Sequence, residues 1–318
     1  MVHRSLKSLV GRWAAPVLLL LLRLTGRRAG VALLYHRVGE RQGDSAVELV
    51  PPLALATFRG QLRHLQRHYE VVPVERFLDA IASRRRGARF PVCLTFDDDV
   101  SEHALHAAPE LRASGAPAMF FLCGSFLERQ EPFWWQHLQR AYDRGMPMAR
   151  VATSLDLEGS PEDLHRVAET MTALTPDRRA AAALTLRELA PAESDAEMLS
   201  AEQACWLLAA GCDVGFHTRR HDCLPELGDV ALARALRDGR SELEAFAGHR
   251  IDVIAYPHGR ADRRVADAAR AAGFMLGFTA QPSAVMPESD PLLAGRFTPT
   301  GGSLGEFALG LVRRLLEL

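Results

Sequence analysis

The sequence lacks several features that mark common classes of protein. Lys7 is its only lysine, and its 38 basic and 39 acidic residues leave a formal net charge of −1. A nucleic-acid-binding protein normally carries a basic excess, which is missing here. There is also no Gly-rich phosphate loop and no Gly-x-Ser-x-Gly motif. These absences argue against a nucleic-acid partner, a nucleotide-phosphate site of that type and a serine hydrolase with that motif.

Cysteine is scarce and unpatterned. The chain has 5 cysteines in 318 residues, with no Cys-x-x-Cys pair. An odd number of cysteines in a chain of this size predicts free thiols rather than a disulfide framework. We therefore expect the protein in the cytoplasm or at the cytoplasmic face of a membrane, and the sequence leaves export open.

The chain has no apolar run long enough to cross a bilayer, which requires about 20 residues. Its longest such run, Ala14–Leu22, follows basic residues near the N-terminus and precedes Arg23, Arg27 and Arg28. No Ala-x-Ala cleavage site follows. Residues 1–30 are therefore interpreted as a helix packed on the domain, an interfacial segment making peripheral membrane contact, or a cleaved signal peptide.

Composition is otherwise that of an ordinary globular protein, with 48% apolar and 24% charged residues. Short apolar runs alternate with helical segments from residue 31 to 318, which predicts parallel strands joined by helices. The count favours an α/β fold of the distorted (β/α)7-barrel type. The predicted strands are Val31–Tyr35, Val92–Phe96, Ala118–Leu122, Val214–Phe216, Val253–Tyr256 and Phe274–Phe278.

Helices are predicted between these strands, and one segment departs from the alternation. From about residue 129 to 191 the pattern predicts only helices, so we interpret it as a helical insertion that could form a lid or substrate wall. Its first residues are Glu131-Pro-Phe-Trp-Trp135, which suit either sugar stacking or anchoring to the barrel. The predicted helices are Thr57–His68, Val74–Ile81, His103–Ala113, Glu162–Leu174, Asp177–Leu189, Ser200–Ala210, Leu232–Phe246 and Asp262–Ala272.

Titratable residues follow four of the predicted strands. Because the active site of a (β/α) barrel lies at the C-terminal ends of its strands, these residues should converge. They are His36, the run Asp97-Asp98-Asp99, the pair His217 and His221, and His258.

Spacing alone does not identify a metal site. His217 and His221 are four residues apart, so on one turn of helix they could share a face and bind one ion together with a carboxylate. His64 and His68 have the same spacing, but they lie within a predicted helix and are expected on an exposed face. Asp97 and Asp98 could divide proton transfer and metal binding, and we expect Asp99 to cap a helix.

Three motifs in order give a family resemblance. Leu94-Thr-Phe-Asp-Asp98, His217-Thr-Arg-Arg-His221 and Ala255-Tyr-Pro-His-Gly259 resemble the polysaccharide deacetylase family, which contains the NodB homology domain and is carbohydrate esterase family 4. Leu33-Leu-Tyr-His-Arg-Val38 resembles the Tyr-His-x-Val element of its permuted members. The resemblance implies a metal-dependent carbohydrate de-N-acetylase, a hydrolase of linear amide C–N bonds.

The resemblance also implies residue roles. Asp97 would be the catalytic base, and Asp98, His217 and His221 would bind one divalent ion, with zinc preferred and cobalt, nickel, iron or manganese as alternatives. His258 would offer its backbone N–H to the oxyanion.

This chain departs from the family pattern at three points. Asp99 replaces the usual glycine, no histidine follows His258, and the usual base-orienting arginine is missing. His36 would then be the acid, as in the permuted members, and Arg296 is a candidate for the arginine.

The expected substrate is an N-acetylated amino sugar in a polysaccharide, oligosaccharide or lipid-linked glycan. Two alternatives stay open, namely hydrolysis of an O-acetyl or N-formyl sugar and a glycan-binding protein that has lost catalysis.

Overall fold

Short apolar runs form the strands, and they assemble into one main sheet. The computed structural model of the protein describes residues 14–40, 47–125, 127, 132–159, 161–192 and 197–317. Its strands are β1 (Val31–Tyr35), β2 (Val38–Gly39), β3 (Leu53–Ala54), β4 (Glu70–Val71), β5 (Pro91–Asp97), β6 (Met119–Leu122), β7 (Asp213–Phe216), β8 (Val253–Ala255), β9 (Leu276–Phe278) and β10 (Arg296–Phe297).

Seven parallel strands form a nearly closed barrel in the order β10-β1-β5-β6-β7-β8-β9. The two ends of this order approach each other through a parallel bridge between Phe278 and Ala294. There the Thr279 N–H donates to the Ala294 carbonyl at 2.8 Å and the Ala294 N–H donates to the Gly277 carbonyl at 2.9 Å. The structure thus confirms the predicted distorted (β/α)7 architecture.

Helices surround the barrel. The first, α1, comprises residues 14–23 and precedes β1. The others are α2 (Leu55–His68), α3 (Phe77–Ser83), α4 (Ala108–Ser114), α5 (Trp134–Asp143), α6 (Met148–Ser154), α7 (Leu164–Ala173), α8 (Pro176–Leu189), α9 (Ala201–Ala209), α10 (Asp229–Ala235), α11 (Arg240–Ala247), α12 (Arg263–Ala271) and α13 (Leu304–Leu316). In the ranges that the structure describes, no helix is both long and apolar enough to cross a membrane.

Residues along each strand alternate between the barrel interior and the helices. On β5, Val92, Leu94 and Phe96 belong to the large core beneath the helices, whereas Cys93 belongs to a smaller interior core. This period-two alternation also carries Thr95 and Asp97 inward. The polar interior positions near the C-terminal end of β5 are where the candidate site begins.

Four helices, α5 to α8, lie between β6 and α9 and have a hydrophobic cluster of their own. Leu138, Val151, Val167 and Leu186 are among its fully buried members. Arg179 of α8 joins this helical unit to the barrel side, because its guanidinium donates to Glu226 at 2.8 Å. The predicted start of the insertion near residue 129, together with Glu131, lies outside the described residues.

The structure corrects several predicted elements. The predicted helix Leu232–Phe246 is two helices, because the chain turns at Gly239 with φ of 80° between α10 and α11. The predicted helix His103–Ala113 begins with one turn of π-helix, His103–Ala107. The prediction missed the short strands β2, β3, β4 and β10 and the helices α5, α6 and α13. The basic residues before Ala14, namely His3, Arg4, Lys7 and Arg12, lie outside the described part of the chain.

The comparison pair His64 and His68 is also placed differently from the prediction. Their rings lie 4.6 Å apart, and that of His64 contacts Phe307 of α13 at 5.9 Å. Both residues are half-buried, so the expected exposed face was wrong. Helix α13, which the sequence pattern did not reveal, covers this face of α2.

Candidate active site

The barrel brings its predicted polar residues to one end. His36 follows β1, Asp97 ends β5, and His217 follows β7. His221 and His258 lie in the loops after β7 and β8. These residues, with Asp98, line one cavity of about 340 Å³, so the structure brings together all six candidates.

Asp98 is the side chain around which this site is arranged. Its Oδ1 lies 3.6 Å from His217 Nε2 and 3.5 Å from His221 Nε2. These separations exceed good hydrogen-bond distances, and Oδ1 is buried without a hydrogen-bond partner in the structure. The backbone of Asp98 adopts φ of 75°, a strained conformation for a non-glycine residue that often marks functional sites.

The His217 ring is held in a fixed orientation. Its Nδ1 lies 2.8 Å from the Ala255 carbonyl, which makes Nδ1 the donor and leaves Nε2 to face Asp98. Burial lowers the pKa of His217, but the nearby Asp97 and Asp98 carboxylates outweigh burial, so the pKa is raised overall.

His221 reaches the site through a left-handed turn. Thr218 and His221 have φ of 60° and 55°, and the Asp222 N–H donates to Thr218 Oγ1 at 3.1 Å. The two ligand candidates are therefore not one helical turn apart, as the spacing had suggested, but are joined by an irregular loop. Burial and the adjacent His258 hold the pKa of His221 well below its ordinary value.

Three donor atoms of the site are suited to a metal ion. One ligand atom each from Asp98, His217 and His221 lies within 4.8 Å of the other two. Within the described ranges, this is the one group of His, Cys, Asp or Glu side chains with such geometry. The buried Asp98 oxygen without a hydrogen-bond partner and the two Nε2 atoms that face it have the donor chemistry of a candidate His₂-carboxylate metal site. The residues present fit a divalent ion.

Asp97 is paired with Arg296 inside the barrel. The guanidinium donates to both carboxylate oxygens, with Nη1 at 2.6 Å from Oδ1 and Nη2 at 2.7 Å from Oδ2. Arg296 is fully buried and is fixed further by Thr95 Oγ1 at 3.1 Å and by the Thr279 carbonyl at 3.0 Å. Burial raises the pKa of Asp97, but Arg296 outweighs it and the pKa is lowered.

Asp99 does not cap a helix, contrary to the prediction. Its Oδ1 accepts from the Cys123 N–H at 2.8 Å, just after β6. Its own carbonyl accepts from the Leu199 N–H at 2.8 Å. Burial raises the pKa of Asp99 to about 7. Asp99 therefore fixes the loop after β5 against its neighbours.

His36 and its surroundings form the side of the cavity next to β1. The His36 carbonyl lies 2.7 Å from Nε2 of the fully buried His103, in the π-helical turn. The next residue, Arg37, forms an ion pair with Glu102 of the same region, with Nε 2.9 Å from Oε2. Neither His103 nor Glu102 was predicted to lie at the site. Their position just after the aspartate run was the available signal.

The Pro257-His258-Gly259 turn forms the opposite side. His258 has φ of 58°, and its ring lies 4.5 Å from that of His221. Burial lowers the pKa of His258 to about 4. Gly259 is required here, because an added Cβ would lie 2.1 Å from the Ala280 Cβ.

Aromatic residues at the start of α5 cover the histidines. Phe133 and Trp135 stack with ring centroids 4.4 Å apart and planes inclined by 6°. Trp135 lies 4.9 Å from the His221 ring and, with Trp134 and Ala168, lines the cavity. The aromatic motif therefore contacts both the site and the helical unit.

Comparison with known proteins identifies the family. The sequence profile described as "Polysaccharide deacetylase" matches residues 84–175 and 201–277, which is more than half of the chain. The protein belongs to the polysaccharide deacetylase family, and this membership supports a carbohydrate deacetylase. No curated protein sequence matches the chain.

Solved structures share the fold at low sequence identity. A deacetylase from Streptococcus pyogenes, PplD, solved in complex with acetate, aligns with a TM-score of 0.63 and 17% identity over 89% of this chain and 98% of that chain. IcaB from Ammonifex degensii aligns with a TM-score of 0.57 and 19% identity over 91% and 98%. A polysaccharide deacetylase from Bacillus cereus aligns with a TM-score of 0.57 and 18% identity over 89% and 69%.

Proposed function

We propose that the protein is a metal-dependent carbohydrate de-N-acetylase that hydrolyses the acetamide group of an amino sugar. The observation that carries this proposal is the adjacency of two different carboxylates in one cavity. Asp98 Oδ1 faces two imidazoles without a hydrogen bond to either, whereas Asp97 is held by Arg296. Family membership supplies the class of substrate, and the donor set supports the metal.

The proposed metal ligands are Asp98, His217 and His221. We expect zinc, with cobalt, nickel, iron or manganese as alternatives, because the two imidazoles and one carboxylate leave positions for water and substrate. A divalent ion held there would lower the pKa of a bound water and polarise the acyl carbonyl.

Asp97 is the proposed general base. Arg296 stabilises its ionised form, and the fork of two hydrogen bonds fixes the plane of the carboxylate. Each carboxylate oxygen keeps a lone pair beyond the one used by Arg296. Asp97 can therefore accept a proton from the attacking water while its own orientation stays fixed.

His258 and His36 are proposed for the later steps. The left-handed turn at His258 is proposed to offer its backbone N–H to the developing oxyanion, and one such donor contributes about 3 kcal/mol. His36 is proposed as the general acid, since it lines the same cavity and an amide nitrogen must be protonated to leave as an amine. The C–N bond breaks, the water oxygen joins the acyl carbon, and acetate and a free amine result.

The subtype of the family, the form of the glycan substrate and the location in the cell are also proposals. The Tyr35-His36-Arg-Val38 element supports a member of the permuted type, in which the acid comes from the first strand. The substrate would be a polysaccharide, an oligosaccharide or a lipid-linked glycan. All five cysteines are free, which supports a location in the cytoplasm or at its membrane face.

The test is product analysis with N-acetylglucosamine oligomers. We expect acetate and free amine in equal amounts, and we expect Asp97→Asn to abolish both while leaving the bound metal in place. A matched control is Asp267→Asn, which changes a largely exposed aspartate of α12. Formate, or acetate without a new amine, would identify another acyl sugar. No released acid from any acylated sugar would indicate lost catalysis.

A further inference from the structure

The outer face of α1 is apolar and open to solvent. Val17, Leu20, Leu21 and Leu24 are 58, 57, 56 and 51% exposed, while Leu19 on the opposite side is 3% exposed and packs on the core. The exposed residues are spaced as one helical stripe. Helix α1 thus attaches to the barrel by one face and presents a second apolar face outward.

This concentration of exposed apolar residues is not repeated elsewhere in the described ranges. Large hydrophobic residues are at least 36% exposed at 13 positions, and 5 of these lie between Val17 and Leu24. Single exposed leucines are ordinary, but a contiguous cluster marks a surface that binds a partner or a membrane.

Arginines surround the C-terminal end of this helix. The Gly87 N–H donates to the Arg23 carbonyl at 2.7 Å, and the Arg84 guanidinium donates to the Arg27 carbonyl at 2.6 Å. These bonds join the segment after α1 to the arginine-rich loop before β5. The exposed arginines of the two segments, here called the arginine rim, are Arg28, Arg85, Arg86 and Arg89.

We propose that α1 and the arginine rim bind the interface of an anionic lipid membrane. The helix would bury Val17, Leu20, Leu21 and Leu24 at the headgroup boundary, and the rim would contact negatively charged headgroups. Ten described helical residues span about 15 Å, which suits a helix lying in the interface.

A second copy of the chain is a poorer occupant of this surface. A two-fold dimer places the same patch of both protomers face to face, so the two arginine rims would be drawn together. Juxtaposed like charges disfavour such an interface, whereas an anionic bilayer complements both the apolar stripe and the rim.

This attachment would orient the active site. The segment after α1 enters β1 at its N-terminal end, and the arginine-rich loop enters β5 at its N-terminal end. Both therefore lie at the N-terminal end of the strands, whereas Asp97 ends β5 at the other end of the barrel. The catalytic cavity would open away from the membrane surface.

The test is sedimentation of the full chain with vesicles of phosphatidylcholine alone or with added phosphatidylglycerol. We expect binding to the anionic vesicles and release at high salt. Replacing Leu20, Leu21 and Leu24 together by Gln should weaken binding at least ten-fold, because about 0.8 kcal/mol is lost per CH₂ withdrawn from the bilayer. Replacing Arg85 and Arg86 by Gln should weaken it about five-fold per arginine.

Matched controls distinguish membrane binding by this surface from nonspecific binding by any exposed apolar residue. Leu184→Gln and Val230→Gln change residues that are 61 and 72% exposed on other helices, and they should leave vesicle binding unchanged. Equal sedimentation of the α1 and control variants, or no binding to anionic vesicles, would overturn the proposal. A dimer in sedimentation velocity that the α1 variant converts to a monomer would assign the surface to a second copy instead.

Discussion

Arg296 and Asp97 are 199 residues apart in the chain and form a two-pronged ion pair inside the barrel, at 2.6 and 2.7 Å. β10 and β1 are neighbours, and β1 pairs with β5, so the barrel itself delivers the arginine to the aspartate. The carboxylate beside this pair, Asp98, has no such partner on its Oδ1. Two adjacent aspartates thus differ in their partners, because Arg296 holds Asp97 by two hydrogen bonds and Asp98 Oδ1 faces two imidazoles without one.

Breaking the Arg296–Asp97 pair should cost both stability and activity. Arg296→Met leaves a buried carboxylate uncompensated, which typically costs about 3–5 kcal/mol. The double variant Arg296→Met, Asp97→Asn should recover much of this loss, and urea unfolding of all four proteins measures the coupling. Arg296→Lys keeps the charge but loses the fork, so we expect lower turnover with a smaller loss of stability. Additive losses in the cycle would contradict the pairing.

Substitutions of the neighbouring Asp98 and Asp99 should have different effects on the stability of the metal-free protein. Asp98→Asn removes a buried charge without a hydrogen-bond partner on Oδ1, so we expect the free energy of unfolding to stay equal or rise. Asp99→Ala is the matched control. It removes the acceptor for the Cys123 N–H and should lower the free energy of unfolding by about 1–3 kcal/mol. Destabilisation by Asp98→Asn as large as that by Asp99→Ala would mean that Asp98 is structural.

Changing His36 should separate chemistry from metal binding. His36→Gln should retain the metal and lose about 10²–10⁴-fold in turnover, since this is the usual contribution of a general acid. His249→Gln changes a partly exposed histidine whose Nε2 lies 2.7 Å from Asp213 Oδ1 at the start of β7, and this variant should keep full activity. Metal content and kcat are measured on the same samples. Full activity of His36→Gln would refute its role as the acid.

Trp135 allows a test of whether the aromatic residues at the start of α5 bind the sugar. If its ring stacks on the sugar, Trp135→Ala should raise KM about ten-fold with a smaller effect on kcat, because stacking binds the ground state and the transition state alike. The control is Trp206→Ala, which removes a 48% exposed tryptophan of α9. Equal KM values for the two variants, with Trp135→Ala less stable, would assign Trp135 to anchoring the helical unit.

The protein should become less stable in mild acid, because His64 takes up a proton more readily in the unfolded chain than in the folded protein. Burial, followed by the charge of His68, lowers the pKa of His64 from 6.5 to about 4. Between these values the unfolded chain binds a proton that the folded protein does not, so the free energy of unfolding falls as pH decreases through this window. Urea unfolding at a series of pH values measures this dependence, and His64→Phe should flatten it between about pH 4 and pH 6.5. Identical profiles for the wild type and His64→Phe would contradict the burial of His64.

The sequence allowed the barrel and the convergence of the six candidate residues in one cavity to be predicted, because each candidate follows or ends a short apolar strand. Asp97, His217 and their neighbours share one end of the barrel for that reason. Other features depend on tertiary contacts that local patterns do not encode. β10 has only two residues. The burial of His64 depends on Phe307 of α13, which lies 243 residues later in the chain but contacts the His64 ring in the fold.

Backbone conformation was the other feature that spacing could not show. Four-residue spacing suggested that His217 and His221 share a helical turn, whereas positive φ at Thr218 and His221 produces an irregular loop. Asp99 was expected to cap a helix, but its carboxylate accepts from Cys123 on the adjacent segment instead. Both differences arise where the chain leaves a strand at the site, where residues adopt strained conformations that propensity does not favour.

The most direct measurement is acetate release by the purified protein before chelation, after chelation and after return of one equivalent of zinc, with metal content measured at each stage. We predict about one divalent ion per chain, loss of acetate release with the ion, and recovery on its return. Asp98→Ala should bind no ion under the same conditions. Undiminished acetate release from metal-free protein, or unchanged metal binding by Asp98→Ala, would contradict the assignment of Asp98, His217 and His221.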